Sequence, residues 1–277
     1  MNYKIITDSC CDLTAELKRK FQTISVPLKL RLGEKEFVDN DNLNLPSFME
    51  KMKACVEHVG SAAPSPHDFL RAFEEAGRSF VVTLSSQLSG SHASALVAET
   101  YTQDRDDIDV HIFDSKSASA GQTLLTIKIH ELIQKNFSKD VIVERINNFI
   151  DEMKTYFVLE RYDNLQRNGR LGKVTGTIIK FLGIRLVMGS DRNGDIALYH
   201  KARGEKQMLE RMLSLIANSG KKTDNEIMVI SHCNNMTLAQ RLSDMIKDRF
   251  NFNEIYIVPT GGLSSLYADD QGIIMAF

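Results

Sequence analysis

The sequence lacks most of the features that would place a chain quickly. Its four cysteines form no C-x-x-C pair: Cys10 and Cys11 are adjacent, while Cys55 and Cys233 stand alone. Neither a disulfide framework nor a structural metal site is drawn by such spacing, and buried free thiols are expected. Lysine and arginine (34) do not exceed aspartate and glutamate (36), so there is no positive surplus to meet a phosphate backbone, and nucleic-acid binding is disfavoured. No stretch approaches the ~18 apolar residues that span a bilayer. The opening MNYKIITDSC has no charged region, apolar run and small-residue cleavage site in the order of a secretory signal, so a cytosolic protein without stable membrane insertion is expected. There is no G-x-S-x-G elbow and no H-E-x-x-H, and the seven histidines are scattered along the chain.

What is present is an alternation of strands and helices. The chain of 277 residues, 43% apolar, suffices for one large or two moderate domains. Its organising stretch is Phe80 to Ala98: an apolar β-branched run, then Ser85, Ser86, Ser89 and Ser91 around Gly90, then Ala93, Leu96 and Val97 at helical spacing. Such a turn aims a helix N-terminus at whatever lies above the sheet, which suits an anion. A single serine there reads equally as a helix cap; four serines around one glycine exceed that need.

Around this centre, Lys4 to Thr7 is a strand ending at Asp8-Ser9, with Thr14 capping a helix from Ala15 to Phe21. One strand is expected over Ile24 to Leu32, a polar loop over Glu34 to Asn44, and a helix over Ser47 to His58 opened by Pro46. Gly60 to Pro66 reads as irregular, before a helix from His67 to Gly77. Val110 to Phe113 is a strand ending at Asp114-Ser115, ahead of an amphipathic helix from Ala120 to Lys135. This order predicts right-handed crossovers and a parallel sheet, with the three strand-end turns converging on one crevice. Asp8 and Asp114 read as readily as local turn caps.

After a helix over Val141 to Lys154 the pattern changes, and a boundary there divides the chain into domains 1–154 and 155–277. Strands are expected at Thr155 to Glu160, Ile184 to Met188 and Ile196 to His200, the last two joined through Asn193-Gly194 as an antiparallel hairpin. Helices at Glu205 to Asn218 and Met236 to Arg249 alternate with strands at Ile227 to Ser231, Glu254 to Val258 and Gly272 to Phe277. The fold class is therefore α/β: an N-terminal parallel-sheet α/β/α domain plus a C-terminal α/β domain with a mixed or antiparallel sheet, and a ligand cleft between them. Gly169 to Gly176 combines glycines and cations but fails the phosphate-loop pattern, since Val174 stands where Ser or Thr is required; it reads as an exposed basic loop. The apolar run Thr177 to Ile184 reads either as core or as a pocket wall.

Taken together, Asp8-Ser9, Ser61-Ala62-Ala63-Pro64-Ser65-Pro66, Leu84 to Ser91, Asp114-Ser115, Asn164 to Arg170 and Lys201-Ala202-Arg203-Gly204 resemble the successive motifs of the DegV family, in the family's order and over most of the chain. The resemblance implies a bacterial protein that binds a long-chain fatty acid between two α/β domains, with no metal and no cofactor besides that ligand. It further implies presentation of the fatty acid to the catalytic subunit of a fatty acid kinase. Ser61 stands at the family's threonine and Ser89 at its serine, the pair that holds the carboxylate; Gly90 follows in the same turn. Asp8, Ser9, Ser91, Asp114 and Ser115 fall near the site. Arg170 and Arg203 match cations placed near the ligand's mouth and the partner's docking surface. The family's closing His-Thr-Gly-Pro-Gly is matched by Ala268-Asp269-Asp270-Gln271-Gly272, so the histidine linked to the kinase partner is missing. Two other classes stay open: a carrier of a fatty or lipid-like acid without a kinase partner, and a serine-dependent hydrolase or phosphotransferase using Ser89 with Asp8 or Asp114.

Overall fold

Short β-branched runs that are buried on both faces build the first sheet. In the computed structural model, which describes residues 3–174 and 184–277, strands β1 (Lys4–Asp8), β2 (Ile24–Val26), β6 (Arg78–Thr83) and β7 (Asp109–Asp114) pair in parallel in the order β2-β1-β6-β7. Between them run α1 (Ala15–Phe21), α3 (Pro66–Ala76) and α4 (Ser91–Thr100). Thr14 caps α1 as its position implies, accepting from Leu17 N–H at 3.2 Å.

The stretch expected as one strand from Ile24 to Leu32 is two. Pro27 has no N–H to continue the ladder with β1, and the chain leaves the parallel sheet there for a second, antiparallel one of order β4-β3-β5. Its strands are β3 (Lys29–Leu32), β4 (Lys35–Val38) and β5 (Val59–Ala62). β4 lies in the stretch expected as polar loop: Gly33 at φ +59° turns the chain, and Lys29 and Arg31 pair with Glu36 on the exposed face. β5 corrects the irregular reading of Gly60 to Pro66. Its residues are small because a Cβ on Gly60 would lie 2.8 Å from Asn168 Oδ1, so composition there records close packing. The intervening helix α2 (Leu45–Ala54) ends four residues before His58.

Helix α5 (Ala120–Gln134) is not amphipathic through its first two turns. Every residue from Ala120 to Ile127 is buried, because the helix packs on β1 and β6 and also on strands of a third sheet. Helix α6 (Lys139–Glu152) covers its outer side. The third sheet contains β8 (Thr155–Val158), β9 (Arg185–Ser190), β10 (Ile196–Ala202), β11 (Ile227–His232), β12 (Glu254–Pro259) and β13 (Ile273–Ala276), in the order β10-β9-β8-β13-β11-β12. Only β11 and β12 pair in parallel; the sheet is mixed. The hairpin at Asn193-Gly194 is present, with Gly194 at φ +91° and Asp191 accepting from the N–H groups of Asn193 and Asp195.

Helix α7 (Asp163–Arg167) stops before Gly169 at φ +72°, and α8 (Gly204–Ala217), α9 (Met236–Lys247) and α10 (Gly262–Ala268) complete the described elements. The loop after α7 is less exposed than its charges suggest, since Leu171 and Val174 are buried and Arg170 is half-buried. Thr175 and Gly176 of that loop, and the apolar run from Thr177 to Gly183, lie outside the described residues. One apolar cluster extends from Leu17, Leu28 and Leu84 through Leu124 to Leu186, Val229 and Ile274, so the parallel and mixed sheets share a core across α5. Among the described residues no helix is long and apolar enough to cross a membrane. Cys10, Cys11 and Cys233 are buried free thiols, whereas Cys55 is partly exposed beyond the end of α2.

Candidate functional site

Beyond the carboxyl ends of β1 and β6, a cleft holds about 970 Å³ of empty space, its open mouth included. Leu28, Ala63, Leu84 and Leu88 line it from one side, and Phe157, Leu159, Leu165, Ile196, Leu263 and Ile274 from the other. Three turns of the N-terminal half reach it through Cys10, through Ser89-Gly90 and through Ser117 to Ser119, so the strand-end turns do converge. These Leu, Ile, Phe and Ala side chains offer an extended apolar group a dry surface.

Eight hydroxyls line this cleft, and their hydrogen bonds separate them into two kinds. Ser119 donates to Asp12, Ser190 to the Lys116 carbonyl at 2.6 Å, and Ser264 to the Cys10 carbonyl at 3.4 Å. Thr155 bonds Ser117 at 2.7 Å, and Ser117 reaches the Ala118 carbonyl at 3.5 Å. These protons are engaged by the protein. Ser89 Oγ accepts from Ser91 N–H at 3.2 Å and has no acceptor for its own proton among the described residues. It therefore serves the helix partly, as a cap would, while α4 itself begins at Gly90 with no side-chain cap. Ser61 Oγ and the phenol of Tyr267, also on the cleft wall, share a single bond of 2.9 Å, leaving one proton of that pair unused. A buried or half-buried donor without an acceptor is costly, and an incoming anion removes the cost.

The free donors lie together. A Cβ on Gly90 would touch the Ala63 methyl at 3.6 Å, which places the Ser89 turn against the segment that carries Ser61. Arg170 lines the cleft beside them; its Nε donates to the Leu88 carbonyl at 3.2 Å and its Nη1 to the Asn168 carbonyl. Among the described residues it pairs with no carboxylate, so its charge stays available to a ligand. Ser61, Ser89, Gly90 and Arg170 are thus brought onto one part of the wall.

The other residues expected near the site are placed elsewhere. Asp8 is fully buried under the parallel sheet's end, accepting from Leu84 N–H at 2.7 Å, Cys10 N–H at 3.2 Å and Gln122 Nε2 at 2.9 Å. Burial raises its carboxyl above the ordinary range, and the Gln122 and Leu84 donors oppose that rise. Its role is to tie the strand-end turns together. Ser9 Oγ accepts from Leu28 N–H, Asp114 accepts from Ser86 and Lys116 N–H, and Ser115 donates to the Ser117 carbonyl, so all three shape turns without lining the cleft. Ser91 is buried in the first turn of α4 and also lies off the lining. Arg203 is exposed ahead of α8 and is not among the lining residues. No histidine is among the lining residues; His92 is bonded to Thr83 at 3.0 Å.

Sequence reasoning missed α10 and the acids that hold it. Gly-Leu-Ser-Ser-Leu-Tyr-Ala is poor helix material with no cap of its own. Asp39 supplies the cap from far along the chain, accepting from Gly262 N–H at 3.0 Å and Leu263 N–H at 2.9 Å, while Asp12 accepts from Gly261 N–H at 2.7 Å. Gly262 is required by this approach, since a Cβ would sit 2.3 Å from Asp39 Oδ1. Burial pushes Asp12 up to about 6, against hydrogen bonds from Gly261 N–H and Ser119, and raises Asp39 as well. Helix α10 presents Leu263, Ser264, Tyr267 and Ala268 to the cleft, so it is the cleft's wall on the mixed-sheet side. Ala268 contributes only a buried methyl there.

The fold and cleft define an α/β protein in which a parallel and a mixed sheet enclose an apolar cavity that carries a local group of hydroxyl donors. The chain belongs to the DegV family: the model described as "Uncharacterised protein, DegV family" matches residues 2–274. A DegV domain-containing protein of Streptococcus gordonii is 39% identical over 280 residues, covering 100% of this chain and 99% of that one. The Streptococcus pneumoniae fatty acid kinase (Fak) B3 protein, solved loaded with linoleic acid, superposes with a TM-score of 0.92 at 38% identity, over 100% of this chain and 99% of the other. The DegV-family protein of Ruminococcus gnavus, refined with vaccenic acid, gives a TM-score of 0.94 at 34% identity, over 99% of both chains.

Proposed function

We propose that the protein binds one long-chain fatty acid in this cleft, with its carboxylate held by the Ser61 and Ser89 hydroxyls and the amide side of the turn at Gly90. The observation that carries this is the division among the lining hydroxyls: those of Ser117, Ser119, Thr155, Ser190 and Ser264 are engaged by the protein, while Ser89 and the Ser61–Tyr267 pair keep protons for a ligand. Arg170 adds an unpaired positive charge beside them. Residues 1–154 then form the domain that holds the head group, and 155–277 the domain that covers the chain. The names of two similar solved proteins, one loaded with linoleic acid and one refined with vaccenic acid, support this ligand class. Energetically, each buried methylene contributes ~0.8 kcal/mol, so a dozen give roughly 10 kcal/mol before association and ordering costs. Polar recognition then only has to satisfy the head group.

The protein is expected to copurify with one fatty acid per chain. Native mass spectrometry followed by lipid extraction measures this directly; protein never exposed to detergent that yields no fatty acid refutes the reading.

The bound carboxylate is further proposed to be presented to the catalytic subunit of a fatty acid kinase, the resident protein itself making no bond. The Ala268 methyl favours a second reading, a fatty-acid carrier serving another acceptor. Reconstitution with such a kinase subunit and ATP separates them: acyl-phosphate formation supports presentation to the kinase, whereas normal lipid binding with little acyl-phosphate formation, restored in Ala268→His, supports the carrier. Full turnover by the unmodified protein would mean that the missing histidine is compensated.

A further inference from the structure

We infer that Tyr267 is a positioning residue for the ligand's carboxylate, acting through Ser61; this rests on the head-group reading above. Ser61 on β5 and Tyr267 on α10 come from opposite ends of the chain and meet at 2.9 Å, where either hydroxyl can donate. A carboxylate removes that ambiguity. It only accepts, so it takes the Ser61 proton, and Ser61 Oγ then accepts from the phenol, which is the better donor of the two. The chain Tyr267 Oη–H to Ser61 Oγ–H to carboxylate has one direction, and each bond polarises the next. Without the phenol, the Ser61 hydroxyl is a free rotor with one fewer donor beside it.

The phenol is held where this requires. The start of α10 is fixed by Asp12 and Asp39 through three backbone N–H groups. Near its end, the Leu266 carbonyl accepts from Asn164 Nδ2 at 2.8 Å. Asn168, one turn further along the same segment, donates to the Val59 carbonyl at 2.8 Å and so braces β5 two residues before Ser61. Both partners of the Ser61–Tyr267 bond are therefore anchored through the segment Asn164 to Asn168. This explains a rigid pair of hydroxyls from two elements at one point of an otherwise apolar wall.

The test uses delipidated full-length protein, titrated calorimetrically with linoleic acid and with methyl linoleate. Tyr267→Phe should weaken linoleic acid binding about tenfold and methyl linoleate by about threefold or less, because the bond to a neutral ester is not charge-assisted. In a Ser61→Ala background the same substitution should change acid binding by less than about twofold, since the residue it acts through is gone. An unchanged affinity for the acid, equal losses for acid and ester, or additive losses with Ser61→Ala would overturn the inference; a packing role for the ring, which phenylalanine keeps, predicts the unchanged affinity. Unmutated protein that binds the ester as tightly as the acid, or binds neither, overturns the head-group reading itself, and is seen before any variant is made.

Discussion

Replacing Ser61 and Ser89 together by alanine should weaken fatty acid binding by ~2 to 5 kcal/mol, with little change in fold stability. The magnitude follows from two charge-assisted hydrogen bonds, each worth roughly twice a neutral one, lost to a carboxylate that stays desolvated. The fold is spared because neither proton is used by the protein beyond the Ser61–Tyr267 bond and Ser89's acceptance from Ser91 N–H. Titration of the double variant with linoleic acid measures the loss, and thermal unfolding of the ligand-free form checks the fold. Unchanged affinity would move the carboxylate elsewhere, to Arg170 or to the hydroxyls at Ser117 and Ser119.

The second large effect is in stability against pH. Asp12 is held up to about 6 by burial, above an ordinary aspartate's value of 3.8. The native carboxyl therefore takes up a proton as pH falls through about 6, while the unfolded chain's stays charged until near 3.8. Protonation thus favours the fold: the contribution is fully present below the unfolded value and lost as pH rises through the folded one. A shift of about two units corresponds to about 3 kcal/mol between pH 7.5 and pH 4. Asp12→Asn keeps an acceptor for Gly261 N–H, lets Ser119 accept, and removes the titration. Its stability, measured by denaturant unfolding over that range, should match or exceed the parent's at pH 7.5, with the advantage disappearing toward pH 4. Asp8 and Asp39, also raised by burial, titrate in both proteins and cancel in the comparison. Parallel profiles would show that Asp12 takes up its proton at the same pH in the native and unfolded chains, so that burial does not raise it.

The two experiments probe opposite sides of one device. The head-group hydroxyls come from β5 and from the turn after β6. The wall that faces them is α10, whose placement depends on carboxylates from the first forty residues.

The alternation of strands and helices, the serine turn at Ser85 to Ser91, the hairpin at Asn193-Gly194 and the stop at Gly169 were all determined by the sequence, because each depends on contacts within a few residues. The motifs naming the DegV family were legible for the same reason. Other features followed from residues distant in sequence. The polar segment Lys35–Val38 became a strand because β3 offered it a partner, and Gly60-Ser61-Ala62 became one because Asn168 packs against it. The first two turns of helix α5 are buried all round because two sheets close on them. Which hydroxyls are free was equally invisible, since Ser89 and Ser119 are alike as letters and differ only in that Ser119 meets Asp12. Helix α10 has neither the composition nor the cap of a helix, and forms because Asp39 and Asp12 satisfy its first amides across more than two hundred residues. Local propensity decides which elements exist wherever it is strong; where it is weak, only the tertiary structure supplies the missing hydrogen-bond partners, and that is where this cleft was built.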